Sequence, residues 1–199
     1  MRVWSYVIRT DRGSAPNYDG PAVTLTICKP RIRKRAQKGD LVLAFNGKTL
    51  ARNPHSVRWA GIVSDVLSLE EYWDDPRFRG KRPDRSETPD NIYQMIDGQL
   101  FQVENSSHDA GNIATDIRGK NALIFEQAWH MGDSAPELPE IFDLRVVSNR
   151  RLEPLREISP EEWSELQGWL KAYDCGLPRH KKGSRCVPRQ SVQRKPVKC

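Results

Sequence analysis

No stretch of the sequence approaches the roughly 18 uninterrupted apolar residues that a membrane-crossing helix requires. The start, Met1-Arg2-Val3-Trp4-Ser5-Tyr6, carries no apolar run leading to a small-residue cleavage site. The expectation is therefore a cytoplasmic chain, neither spanning nor secreted. Cysteine is scarce and poorly spaced for metal. Cys28 stands alone in an apolar strand pattern, and Cys175, Cys186 and Cys199 follow one another at 11 and 13 residues, with no Cys-x-x-Cys pair. Reduced thiols and no zinc site are expected. His55, His108, His130 and His180 are too scattered in sequence to suggest a shared metal. Glycine-rich phosphate loops, His-Glu-x-x-His and the paired motifs of zinc deaminases are also missing, which argues against the familiar nucleotide-hydrolysing and deaminating chemistries. No cofactor or metal is expected.

What is present is enough for one domain with a substantial core plus an appendage: 199 residues, 37% hydrophobic, with 16 Phe, Trp and Tyr. The net charge of +6 is unevenly placed. Residues 171–199 hold nine Lys or Arg against Asp174, a balance of +8, which leaves the preceding 170 residues at −2. A mobile basic tail over 177–199 is expected, suited to phosphates without sequence preference. A solubilising role is the bland alternative.

Val3–Arg9 has the aromatic and β-branched content of a strand, and Val23–Ile27 alternates cleanly, so Val23, Leu25 and Ile27 share a face. Pro30 suits the first position of a short basic helix ending before Gly39, and Leu41–Phe45 reads as a buried central strand. Val57–Leu67 reads as one long strand in which Gly61 permits close backbone approach, followed by a short helix capped by Ser68. Residues 74–90 read as a polar surface loop, 92–94 and 100–103 as short strands around Asp97-Gly98, and 122–131 as the last strong strand. Ser159-Pro160-Glu161-Glu162 opens the clearest helix, with Leu166, Trp169, Leu170 and Tyr173 in one stripe. The predicted class is α+β: a small mixed β-barrel of about six strands with short peripheral helices, one C-terminal helix and a basic tail. The expected division is a body over 1–150, a helix packed on it over 151–176, and the tail over 177–199.

Thr26-Ile27-Cys28-Lys29-Pro30-Arg31-Ile32-Arg33, Ala36-Gln37-Lys38-Gly39-Asp40-Leu41-Val42, Tyr72-Trp73-Asp74-Asp75-Pro76-Arg77-Phe78 and Asp90-Asn91-Ile92-Tyr93 keep their order along the chain. Together with Ser5-Tyr6-Val7-Ile8-Arg9, they make residues of about 1–140 resemble the nucleotide modification associated domain 2 family. The resemblance implies a part in DNA-base modification, often in phage and bacterial conflict systems. The basic helix, the strand from Lys38 to Phe45 and the strand Ala60-Gly61-Ile62-Val63 are more distantly similar to the PUA-like superfamily, which includes the EVE, YTH and ASCH domains. That similarity implies a small barrel whose cleft takes a modified nucleobase.

An unstacked base needs an aromatic face, worth about 1 to 3 kcal/mol per base, and polar groups for its edge. Trp4, Tyr6, Trp59 and Trp129 are candidate stackers, though each lies in an apolar strand pattern that equally suits the core. Asn105-Ser106-Ser107-His108-Asp109 is the densest polar cluster. Asn105 and Ser106 are candidates for the base edge, and His108 with Asp109 for acid-base work if the protein is an enzyme, against the alternative of a plain polar turn. Neighbouring Ser, His and Asp make a poor nucleophilic triad, because consecutive side chains point apart. Lys29, Arg31, Arg33, Lys34, Arg35 and Lys38 are candidate phosphate contacts, against a solvated face. The leading expectation is a reader of a modified base or nucleotide. The alternative is an enzyme that modifies, or removes a group from, a base or nucleotide. Nucleic acid or a nucleotide is the expected partner.

Overall fold

The structure is a computed structural model, which describes residues 1–48, 50, 56–132, 137–142 and 156–177. His55 and the basic tail beyond Leu177 lie outside these residues. The strands are β1 (Arg2–Ile8), β2 (Val23–Leu25), β3 (Leu41–Asn46), β4 (Val57–Ile62), β5 (Asp65–Ser68), β6 (Tyr93–Ile96), β7 (Gln99–Gln102), β8 (Asn121–Phe125), β9 (Gln127–His130) and β10 (Arg156–Glu157). The helices are α1 (Pro30–Arg35), α2 (Leu69–Asp74), α3 (Ile113–Ile117) and α4 (Pro160–Tyr173). No helix among the described residues is long and apolar enough to cross a membrane.

The strands form a five-stranded sheet in the order β10-β1-β3-β4-β9, a three-stranded sheet β2-β8-β5, and the hairpin β6-β7. β1 and β3 run parallel, so β2 and α1 lie in the crossover between them. The long strands expected over 57–67 and 122–131 are each broken into two. The chain turns from β4 to β5 at Val63-Ser64, and from β8 to β9 at Glu126. The two turns are tied together: Ser64 Oγ donates to Ile124 O at 3.0 Å and accepts from Glu126 N at 3.2 Å. Gly61 permits the tight packing beside this turn. A Cβ there would stand 2.8 Å from both Phe125 and Trp59.

The expected α+β class holds, but among the described residues no sheet closes into the expected barrel. β10 covers β1 at Arg2 and Val3, and β2 pairs with β8 rather than with the remaining edge of β1. The end of β1 thus faces the segment after β2 across a gap, and that gap becomes the cavity described below.

Period-two geometry gives the five-stranded sheet two buried faces. On one, Trp4, Tyr6, Ile8, Val42, Ala44 and Trp59 pack against Val23 and Leu25 of β2, Ile32 of α1, and Leu123 and Phe125 of β8. On the other, Val3, Leu41, Leu43 and Ala60 meet Leu166 and Leu170 of α4. Ser159 caps α4 in a reciprocal capping box with Glu162. The segment 74–90, expected on the surface, instead dips into the core. Phe78 and Lys81 in its 3₁₀ turn (Pro76–Lys81) are buried. The Lys81 ammonium is accepted by Ala22 O and Thr24 Oγ1, each at 2.8 Å, so a fixed polar anchor holds the segment down. Cys28 is a free thiol.

Candidate active site

Cys28 and Lys29 carry the chain from β2 into α1 with φ of 58° and 43°. Two successive side-chain-bearing residues in the left-handed region cost on the order of 1 kcal/mol each, and such strain persists only where the surroundings impose it. Here they do. Cys28 N donates to Asp116 Oδ1 at 2.7 Å, and Lys29 Nζ donates to Val7 O at 3.0 Å while lying 4.6 Å above the Tyr6 ring. Arg33, fully buried, donates to the carbonyls of Thr26, Cys28, Asp116 and Asn121. Burial lowers the Arg33 pKa to about 10, against the opposing pull of Asp116. The guanidinium is an internal strut joining the thiol's loop to α3.

His108 reaches the thiol from the loop after β7. Asn105 Oδ1 accepts from the amides of Ser107 and His108, at 2.9 and 2.8 Å, which sets the turn that aims the imidazole. His108 Nε2 stands 3.3 Å from Cys28 Sγ, and His108 Nδ1 stands 2.5 Å from Asp116 Oδ2. Asp116 is wholly buried, and Tyr93 OH donates to the same oxygen at 3.0 Å. Sulfur, imidazole and carboxylate are thus linked in the order that activates a cysteine nucleophile, with a base against the thiol and an acid that orients the base. Burial disfavours the charged imidazole, but hydrogen bonds to Asp116 and Cys28, with their charge, outweigh it and push the His108 pKa up to about 10.

The raised value fixes a sign. Stability contributed by protonated His108 is complete below the unfolded value near 6.5 and is lost as pH rises through about 10. Buried Lys81, lowered to about 8 by desolvation, acts in the opposite direction over an overlapping range. The difference between parent and His108→Ala isolates the histidine. In urea titrations at pH 6, 8 and 10, the parent's advantage over the variant is expected to shrink as pH rises. An advantage that grows with pH would contradict the assignment.

Cys28, His108 and Asp116 also form a cluster whose ligand atoms lie within 4.8 Å of one another. The two ring nitrogens, however, serve different partners. An ion takes one ring nitrogen, so filling the cluster requires breaking at least one of these hydrogen bonds. The donor set fits a proton relay better than a chelate.

The thiol opens into a cavity of about 480 Å³ between the end of β1 and the segment after β2, bounded by residues 6–10, Arg12, Ser14, Ala15, residues 27–29, Ser107 and His108. A second, more open cavity of about 430 Å³ lies beside Lys34, Arg35, Lys38, Asp65 and Asn121.

Of the residues singled out from sequence, Tyr6, Lys29 and His108 line the first cavity. Trp4 and Trp59 are core residues whose indoles donate to Asp40 and to Tyr6 OH, and Trp129 packs against Trp163 on the α4 side. Asp109 is not the carboxylate that orients His108: it caps a 3₁₀ turn, accepting from Gly111 N and Asn112 Nδ2. Ser106 Oγ donates to Glu87 O, and Asn105 shapes the His108 turn. Within the basic run, Arg33 is internal, whereas Arg31, Lys34 and Arg35 are exposed on α1. The sequence reading overlooked Cys28 as a nucleophile, Tyr93 as a partner of the site although it stands in a quoted family block, and Asp116 altogether.

No curated protein and no solved structure matches the chain. The family model described as nucleotide modification associated domain 2 matches residues 1–184, a span that includes every residue of the site. With that match, the chain belongs to the nucleotide modification associated domain 2 family.

Proposed function

We propose that the protein is an enzyme of nucleotide modification that uses Cys28 as a nucleophile on a base or nucleotide held in the cavity between β1 and α1. The observation that carries this reading is the contact of Cys28 Sγ with His108 Nε2, backed by Asp116 on Nδ1 and opening into a cavity. The sulfur attacks an electrophilic carbon of the substrate. The departing group takes the proton from Nε2, and Asp116 keeps the ring oriented. A water molecule then gives a proton back to the imidazole as its oxygen displaces the sulfur, which restores the thiol and balances the reaction as transfer of one group to water.

Recognition without chemistry, as a reader domain, leaves this relay unused. The tryptophans expected to clamp a base are packed in the core. The test is incubation of the protein with deoxynucleotides and with DNA carrying modified bases, followed by mass spectrometry of the nucleosides. A mass change with the parent that is absent with His108→Ala is expected. Binding of modified bases with no mass change in any substrate would favour the reader instead.

A further inference from the structure

Among the described residues, the boundary of the cavity contains Arg9, Arg12, Lys29 and His108 and no aspartate or glutamate. Lys29 is the informative member. Its side chain is half-buried, its ammonium donates to Val7 O and lies over the Tyr6 ring, and it has no carboxylate partner among the described residues. The charged groups acting on it are Cys28, which favours its charge, and Arg9, which opposes it. A partly desolvated cation without a carboxylate is stabilised when an anion completes it. This contrasts with Lys81, which is fully buried and has the carboxylate of Asp90 acting on it. The hydroxyls of Ser14 and Ser107, 2.8 Å apart on the same wall, supply neutral polar groups.

The geometry points to a free nucleoside 5′-monophosphate as the ligand of this cavity, its phosphate held by Lys29 and Arg12 and its base placed beside Cys28. This deepens, and for its chemistry rests on, the reading of Cys28 as a nucleophile. A phosphate monoester carries about −1.5 to −2 charges and three acceptor oxygens, which suits a cationic wall without carboxylates. The volume lies within the roughly 300–1,000 Å³ of small-ligand pockets, large for inorganic phosphate alone.

The test reads protection of Cys28 from iodoacetamide by peptide mass mapping, with four probes: deoxynucleoside 5′-monophosphates, the matching nucleosides, inorganic phosphate, and a short single-stranded oligonucleotide. At millimolar probe, at least one monophosphate is expected to slow alkylation tenfold or more. The nucleosides and inorganic phosphate should slow it less than twofold, and the oligonucleotide less than the monophosphate. Lys29→Gln and Arg12→Gln should each weaken protection by the monophosphate at least fivefold. Nucleosides that protect as well as monophosphates, an oligonucleotide that protects better, or no protection by any monophosphate would overturn the inference. The catalytic reading fails on a different result: Cys28 no more reactive than an ordinary thiol when no probe is added.

Discussion

Serine in place of Cys28 is expected to lower substrate conversion by at least about 10³-fold while leaving the fold in place. A hydroxyl is far harder to deprotonate than a thiol, so an imidazole placed for sulfur does not generate an alkoxide. The substitution keeps shape and the left-handed backbone geometry, and the Cys28 amide still reaches Asp116 Oδ1. Urea midpoints of variant and parent should therefore nearly coincide while product formation, read by nucleoside mass spectrometry, collapses. Conversion within tenfold of the parent would remove Cys28 from the mechanism.

Replacing Arg33 by methionine is expected to be among the most destabilising single changes. The guanidinium is at zero exposure and supplies donors to four carbonyls, those of Thr26 and Asp116 across fully buried contacts and those of Cys28 and Asn121 across partly buried ones. Each orphaned buried acceptor costs about 1 to 3 kcal/mol, so the loss reaches about 4 kcal/mol or more. Against a typical stability of about 5 to 15 kcal/mol, such a variant stands near the edge of folding. The damage should also be directed. Because the strut joins the Cys28 loop to α3, a folded remnant should lose the selective reactivity of Cys28. Chemical denaturation with peptide-resolved alkylation reads both effects, and a loss below about 1 kcal/mol would show that the strut is dispensable.

Much of the frame was legible because its signals are local. Alternation in Val23-Thr24-Leu25 and the Ser68 and Ser159 caps locate β2, α2 and α4 within a residue or two. The breaks at Val63-Ser64 and Glu126 were not legible, since each depends on a hydrogen bond to the other strand. The barrel expectation failed for a related reason. Strand content says nothing about whether β2 turns toward β1 or toward β8. Within the site, His108 was visible as the imidazole of a dense polar loop, but its partners were not. Cys28 lies 80 residues away, at the end of an apolar strand, where a lone thiol reads as packing. Asp116 sits in a five-residue helix whose local pattern gives no hint that its side chain is buried. Asp109 was the natural choice by proximity, yet its carboxylate is held by the amides just ahead of it. The basic run was read as one patch because charge is visible and burial is not. Lys29 and Arg33 turn inward while Arg31, Lys34 and Arg35 remain outside.

The central claim is that His108 and Asp116 make Cys28 a reactive nucleophile, and the most direct measurement is the rate of Cys28 alkylation by iodoacetamide at pH 6.5, resolved by peptide mapping. In the folded parent, Cys28 is predicted to react at least tenfold faster than in the urea-unfolded chain, and His108→Ala is predicted to abolish that advantage. A folded-state rate at or below that of the unfolded chain, or an advantage that survives loss of His108, would contradict the account.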